Sequence, residues 1–74
     1  MYEDRTMNFR SKMIAAARAH AVAHIEKHKM NVEVYLENPA GIGEHSDIMD
    51  AIEKEIEEMS KYQDHLEILD KYFE

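Results

Sequence analysis

Three histidines at helical spacing are the residues of this sequence best suited to chemistry. His20, His24 and His28 recur at every fourth position, so in a helix their imidazoles project from one side. Two histidines four residues apart can bind one metal ion, and a carboxylate from a second helix would complete a zinc or iron site. Folding the chain back about Gly41 places Glu55 opposite His24 and His28. The first interpretation is therefore a metal-binding helical bundle that uses His24, His28 and Glu55.

The same residues also have an interpretation that needs no metal. A histidine between alanines packs half-buried in a helical interface and hydrogen-bonds to a glutamate on the facing helix, and such a pair titrates near neutral pH. Carboxylate-bridged di-iron bundles place a glutamate three residues before each histidine ligand. No histidine of this chain has a carboxylate at that position. Both interpretations stay open at this stage, and no cofactor is expected.

The sequence contains no other residue set that indicates an enzyme. It has no cysteine, which excludes thiolate nucleophiles, disulfides and thiolate zinc sites. The turn Gly41–Gly43 lacks the lysine and the serine or threonine of a phosphate-binding loop. The acidic run 53–58 is similar to the magnesium-binding helices of all-α nucleotide pyrophosphohydrolases, but the facing segment has no second acidic pair. We therefore predict a non-enzymatic protein with no catalytic residues.

A single break divides the chain into two helical stretches. Residues 38–47 contain the only proline and both glycines, which interrupt helices, and good helix formers dominate on either side. Ser46 can cap the second helix. The alternation in 31–35 could be extended, but a lone strand would have no pairing partner, so helix is favoured. The prediction is an all-α, antiparallel two-helix hairpin with a flexible leader at 1–7, a helix at about 8–37, a turn at 38–45 and a helix at 46–73.

Apolar residues form a stripe along each predicted helix. The expected inward positions are Phe9, Met13 or Ile14, Ala17, Ala21, Ile25, His28, Val32 and Tyr35 or Leu36 in the first helix, and Ile48, Ile52, Met59, Tyr62, Leu66, Leu69 and Phe73 in the second. A chain of 74 residues buries little surface alone, and two hairpins that pair into a four-helix bundle would complete the core. We therefore expect a homodimer or a higher homo-oligomer.

The charge is unevenly placed along the chain. Residues 1–45 carry six acids and six bases, whereas residues 46–74 carry ten acids and three bases and so the whole net charge of −7. An acidic second helix repels phosphates, so direct nucleic-acid binding is not expected. No apolar run is long enough to span a membrane, and a cytoplasmic location is the expectation. The candidate partner-binding residues are the outer acidic face, Glu53, Glu57, Glu58 and Asp64, and the turn residues Ile42, Glu44 and His45.

One resemblance supplies biological context. The segment from Asn31 to Ile48, the Ala-His-Ala-x-x-His-Ile-Glu-Lys-His run at 19–28 and the closing Leu-Asp-Lys-Tyr-Phe at 69–73 resemble short uncharacterised reading frames of marine tailed bacteriophages, cyanophage-type myoviruses among them. The resemblance covers residues 7–74 and transfers no functional residue. It implies a viral accessory protein in the cytoplasm of a bacterial host.

Function is therefore predicted only in outline. The leading hypothesis is a small interaction or structural protein that contacts itself and an unknown host or viral protein. The metal-binding bundle is one alternative. The other is an acidic mimic that occupies a nucleic-acid-binding protein.

Overall fold

The protein is a hairpin of two long α-helices. In the computed structural model, α1 spans Tyr2–Glu37 and α2 spans His45–Tyr72. The structure describes the backbone of residues 2–37 and 45–74 and the side chains of residues 9–37 and 47–74. These residues contain no strand. The predicted all-α hairpin is confirmed, and the stretch 31–35 is helical throughout.

The first helix differs from the prediction at its start. It begins at Tyr2, so the segment predicted to be a flexible leader is helical from that residue. The chain from there to Glu37 contains neither glycine nor proline. Its middle is rich in alanine, the residue type with the highest helix propensity. The first sequence feature able to stop the helix is therefore the Asn38-Pro39 pair. The predicted turn lies outside the described residues, apart from His45.

The second helix begins one residue before the predicted start and ends one residue earlier than predicted. Asp47 lies in its first turn and Lys71 in its last. At these positions both charges interact favourably with the helix dipole and stabilise the helix. The side chain of Ser46, the predicted cap, lies outside the described residues.

The core between the helices is thin. Among the described side chains, only Ala21, Ile48 and Ile52 are buried hydrophobic residues. The fully buried alanine lets the two helix backbones approach closely at the middle of α1. A half-buried layer flanks these residues and includes Ile14, Ile25, His28, Val32 and Tyr35 of α1 and Glu55, Met59, Tyr62, Leu66 and Leu69 of α2.

Several predicted inward positions are exposed. The structure selects Ile14 over Met13 and Tyr35 over Leu36, and it exposes Phe9. Phe9 precedes Ile14 by five residues, which turns it about 140° away from the core at 100° per residue. Ala17 and Phe73 were also predicted inward, and both are exposed.

Ion pairs join the two helices at the end of the hairpin opposite the turn. The Arg18 guanidinium lies 2.8 Å from Asp70 Oδ1 and 2.6 Å from Glu74 Oε2. Arg10 donates a hydrogen bond to the carbonyl oxygen of Phe73 at 3.3 Å. The carboxylates beside Arg18 raise the pKa of its guanidinium further, mainly through the Asp70 hydrogen bond. These contacts fix the register of the helices at the end where apolar packing is weakest.

The hairpin is elongated, with principal extents of 60 × 19 × 12 Å. Its radius of gyration is 17.5 Å, against about 11 Å for a compact domain of this length. Neither described helix has a stretch long and apolar enough to cross a bilayer.

Candidate functional site

The polar centre of the helix interface is a hydrogen-bonded group of three side chains. His28 Nδ1 lies 2.7 Å from Glu55 Oε1, and Asn31 Nδ2 donates to the same oxygen at 3.0 Å. The side chains of His28 and Glu55 are only 12% and 18% exposed. The pairing of His28 with Glu55, predicted by folding the chain about its turn, is therefore present. Glu55 interrupts the apolar stripe of α2 because its partners lie across the interface on α1.

These contacts keep Glu55 ionised. The hydrogen bond from Asn31, followed by that from His28, holds the pKa of the Glu55 carboxyl below its ordinary value, although burial acts in the opposite direction. A second carboxylate lies at the rim, where Glu58 Oε1 is 4.0 Å from His28 Nε2 and 3.2 Å from Lys61 Nζ. Each ring nitrogen of His28 therefore lies near a carboxylate, Nδ1 near Glu55 and Nε2 near Glu58.

Four aromatic rings gather around Tyr62 of α2. Its ring stacks on His24 with centroids 4.3 Å apart and an interplanar angle of 16°. The rings of His20, His28 and His65 lie 5.8, 6.4 and 5.2 Å from it. His20 and His24 are themselves 4.4 Å apart. The predicted histidine row thus exists, and a tyrosine from the facing helix packs along it.

His24 differs from its neighbours in having an unsatisfied ring nitrogen. Its Nδ1 is buried and has no hydrogen-bond partner. Desolvation lowers the pKa of His24, and the nearby charges of His20, Lys27, His28 and Lys61 lower it further. A proton on His24 would therefore gain no acceptor and would be repelled by its surroundings. Both effects favour the neutral form of this imidazole.

The predicted metal set of His24, His28 and Glu55 does not converge as a set. Among the residues that the structure describes, no group of three or more histidine or carboxylate side chains has the geometry to hold a metal ion. Glu55 is engaged by His28 Nδ1 and Asn31 instead. The metal site stays a prediction, and binding would first require the His28–Glu55 hydrogen bond to open.

A shallow groove of about 320 Å³ continues from the ring cluster toward the far end of the hairpin. Its lining residues are Ala17, His20, His65, Ile68 and Leu69. It is open to solvent, and the side chains that line it come from both helices. The groove shows that the His20 side of α1 lies beside the His65 side of α2.

The candidate partner-binding residues fall into two groups. Glu53, Glu57 and Asp64 are exposed and, four and seven residues apart, share the outer side of α2. Glu58 is half-buried and is turned toward His28 and Lys61, so it does not belong to that outer row. Of the three turn residues, Ile42 and Glu44 lie outside the described residues, and so does the side chain of His45, whose backbone begins α2.

Sequence reasoning missed two residues of the cluster. Tyr62 was expected only as core, and Asn31 only as part of a doubtful stretch. The fold-back that places His28 opposite Glu55 also places His24 one helical turn from the level of Tyr62, so the stacking could have been inferred from the same register. The hydrogen bond of Asn31 could not, because it depends on how far its side chain turns toward α2.

Comparison of the chain with protein-family models, with curated proteins and with solved structures finds no match.

Proposed function

We propose that this chain is a non-enzymatic interaction protein whose functional unit is a homodimer, formed when two hairpins pair into a four-helix bundle. The observation that carries the proposal is the incomplete core. Large apolar side chains remain exposed along both helices; among them are Met13, Val22, Met30, Val34, Leu36, Met49, Ile56 and Ile68.

The surface area supports self-association. The chain exposes 5990 Å², whereas a compact monomer of 8.7 kDa exposes about 4,700 Å² by the scaling of surface with mass. The excess, about 1,300 Å², is larger than the roughly 800 Å² that each partner contributes to a standard protein–protein interface. Burying the exposed apolar side chains within an area of this size against a second copy would supply stability that the thin core lacks.

The polar residues of the interface support a structural role. His28, Asn31 and Glu55 satisfy one another, an arrangement that fixes register between helices. Catalysis by acid and base usually needs a pocket in which such groups face a substrate. Here the pair lies between two packed helices, and its exposed fraction is small.

Contacts with other proteins are proposed for the outer surface of the dimer. Glu53, Glu57 and Asp64 form an acidic row on α2 that no basic side chain of the described residues covers by an ion pair. The turn residues Ile42, Glu44 and His45 complete the proposed contact surface. A basic host or viral protein is the class of partner that this row fits, in the bacterial cytoplasm that the phage resemblance implies.

The same acidic row favours one second candidate function. Carboxylates spaced along a rod can occupy the phosphate-binding surface of a nucleic-acid-binding protein, which would make the dimer a charge mimic. Capture of partners from host lysate at rising salt separates the two functions. A captured nucleic-acid-binding protein that is released at modest salt would favour the mimic, whereas a captured basic protein that binds no nucleic acid would favour the interaction protein.

Molar mass in solution tests the proposal directly. Light scattering on untagged protein should give twice the chain mass of 8.7 kDa, with helical circular dichroism and no stoichiometric metal in the same sample. A compact single chain that melts cooperatively at every dilution would contradict the proposed dimer. Zinc, iron or manganese in a fixed ratio to the chain would favour the metal-binding bundle instead.

A further inference from the structure

The two long sides of the hairpin differ in chemistry. On one side, Val22, Ile25, Lys29, Val32 and Leu36 of α1 recur at spacings of three and four, as do Met49, Ile52, Ile56, Met59, Gln63 and Leu66 of α2. We call this side the apolar flank. The opposite side carries His20, His24 and Lys27 of α1 and Lys54, Lys61, His65 and Ile68 of α2, and we call it the imidazole flank.

Contacts between the helices show that each flank is continuous across the hairpin. The Arg18–Asp70 ion pair at 2.8 Å joins the apolar flank at one end, since Arg18 lies four residues before Val22 and Asp70 four after Leu66. The groove that His20 and His65 line together joins the imidazole flank in the same way.

From these observations we infer that the apolar flank is the surface on which a second copy of this chain docks, with α1 of one protomer packed antiparallel against α2 of its partner. The inference rests on the proposed self-association and specifies its surface and arrangement. The apolar flank presents one unpaired charge, Lys29, among its named residues. Two imidazole flanks brought together would instead oppose Lys27 and Lys54 of each copy, while Lys61 is paired with Glu58 at 3.2 Å. Like charges in contact oppose association.

Charge complementarity selects the arrangement. Residues 9–30 of α1 hold five bases and one acid, whereas residues 46–74 hold ten acids and three bases. A two-fold axis parallel to the helices places α1 over the partner's α2, so unlike charges face each other. A two-fold axis across the hairpin would place α2 over α2 and bring together two helices of net negative charge, although the row of Glu53, Glu57 and Asp64 faces outward in either arrangement. Both arrangements make every neighbouring pair of helices antiparallel, as in up-down bundles, so helix direction does not decide between them and charge does.

The matched pair Ile56 and Ile68 tests the surface. Their side chains are 48% and 49% exposed, they lie in the same helix, and they belong to opposite flanks. We expect Ile56→Glu to lose the dimer, with light scattering showing the mass of one chain or circular dichroism showing loss of helix at the same concentration. Ile68→Glu should keep the dimer mass.

The reverse result, with Ile68→Glu dissociated and Ile56→Glu dimeric, would overturn the choice of flank but leave self-association intact. A wild-type chain that is monomeric would instead overturn the proposed function itself.

Disulfide trapping tests the arrangement without relying on dissociation. The chain has no cysteine of its own. Val22 lies six residues before His28 and Gln63 eight after Glu55, so the two residues stand within one helical turn of the same level along the hairpin. Mixed Val22→Cys and Gln63→Cys chains should form a disulfide-linked heterodimer under mild oxidation, because Cα atoms must come within about 7 Å to be bridged.

A Lys61→Cys chain mixed with Val22→Cys serves as the control and should not cross-link, because position 61 is at the level of Val22 but belongs to the imidazole flank. A disulfide that forms only between two Val22→Cys chains would overturn the packing of α1 on the partner's α2, since it would place like helices together.

Discussion

His24 is a histidine of the helix interface whose buried ring nitrogen has no hydrogen-bond partner among the described residues. Its ring stacks on Tyr62, while its Nδ1 is buried without a partner. Four residues further along, His28 has the same side chain in a different situation, with Glu55 at 2.7 Å. His28 therefore has a carboxylate partner for its ring nitrogen, whereas the buried Nδ1 of His24 has no partner in the part of the chain that the structure describes.

Acidification should destabilise the protein through His24. The pKa of His24 is lower in the folded chain than in the unfolded chain, so the unfolded state takes up this proton first as the pH falls. The free energy of unfolding should be fully present above about pH 6.5, the ordinary histidine value, and should decline below it. His24→Phe keeps a ring on Tyr62 but cannot titrate. Urea unfolding at about pH 7.5 and about pH 5.5 should therefore show a smaller loss for His24→Phe than for the wild type.

His65→Phe is the matched control, because His65 also contacts the Tyr62 ring but is exposed. It should retain the pH dependence of the wild type. An equal loss of stability in the wild type and in His24→Phe would show that His24 does not carry the effect. Glu55 adds a separate decline at lower pH: its pKa is lowered by folding, so its contribution is present above about pH 4.3 and is lost as the pH falls further.

Each helix packs against the other through one narrow row of inward-facing residues. The row of α1 passes through Ala21, which is fully buried against α2. The buried residues of α2 are Ile48 and Ile52. A larger side chain at Ala21 would push apart two backbones that the rest of the interface holds close. Alanines elsewhere in α1, such as Ala23, are exposed and contribute helix propensity alone.

Ala21→Leu should lower the free energy of unfolding by about 1–3 kcal/mol, the usual cost of overpacking a close contact. Ala23→Leu makes the same chemical change on an exposed position and should alter stability by less than about 0.5 kcal/mol. Urea unfolding of the two variants at one protein concentration measures the difference. A similar effect of both substitutions would mean that Ala21 does not limit the approach of the helices.

At this scale the sequence predicts the elements well and their ends less well. The break at Asn38-Pro39 is strong because both residue types act locally on the backbone. The structure starts α1 at Tyr2, earlier than predicted. The predicted leader depended on weak local signals, and residues 2–7 contain no glycine or proline that would oppose a helix. In the site, spacing predicts which residues share a level, such as His28 and Glu55. It does not predict that Asn31 completes the group, since hydrogen bonding depends on side-chain rotation.

The whole molecule is a rod two helices thick, and the proposed dimer predicts that its stability depends on association. If two chains fold and pair in one step, the melting temperature must rise with protein concentration. A tenfold increase changes the association term by about 1.4 kcal/mol, which corresponds to roughly 4–5 °C for a dimer of this length given the usual unfolding entropy per residue. Circular dichroism melts over a dilution series measure this shift. A melting temperature that does not change with dilution would show that a single hairpin is the folding unit.

The antiparallel course of the two helices also gives any such dimer a polarity. Glu37 ends α1 and His45 begins α2, so both residues belong to the same pole of the rod. A two-fold axis along the rod leaves each pole in place, so the segments that join Glu37 to His45 in the two copies would start and end at the same pole of the dimer. A protein that recognises one such segment only weakly would then meet two at once, and avidity rather than single-site strength would set how long it stays bound.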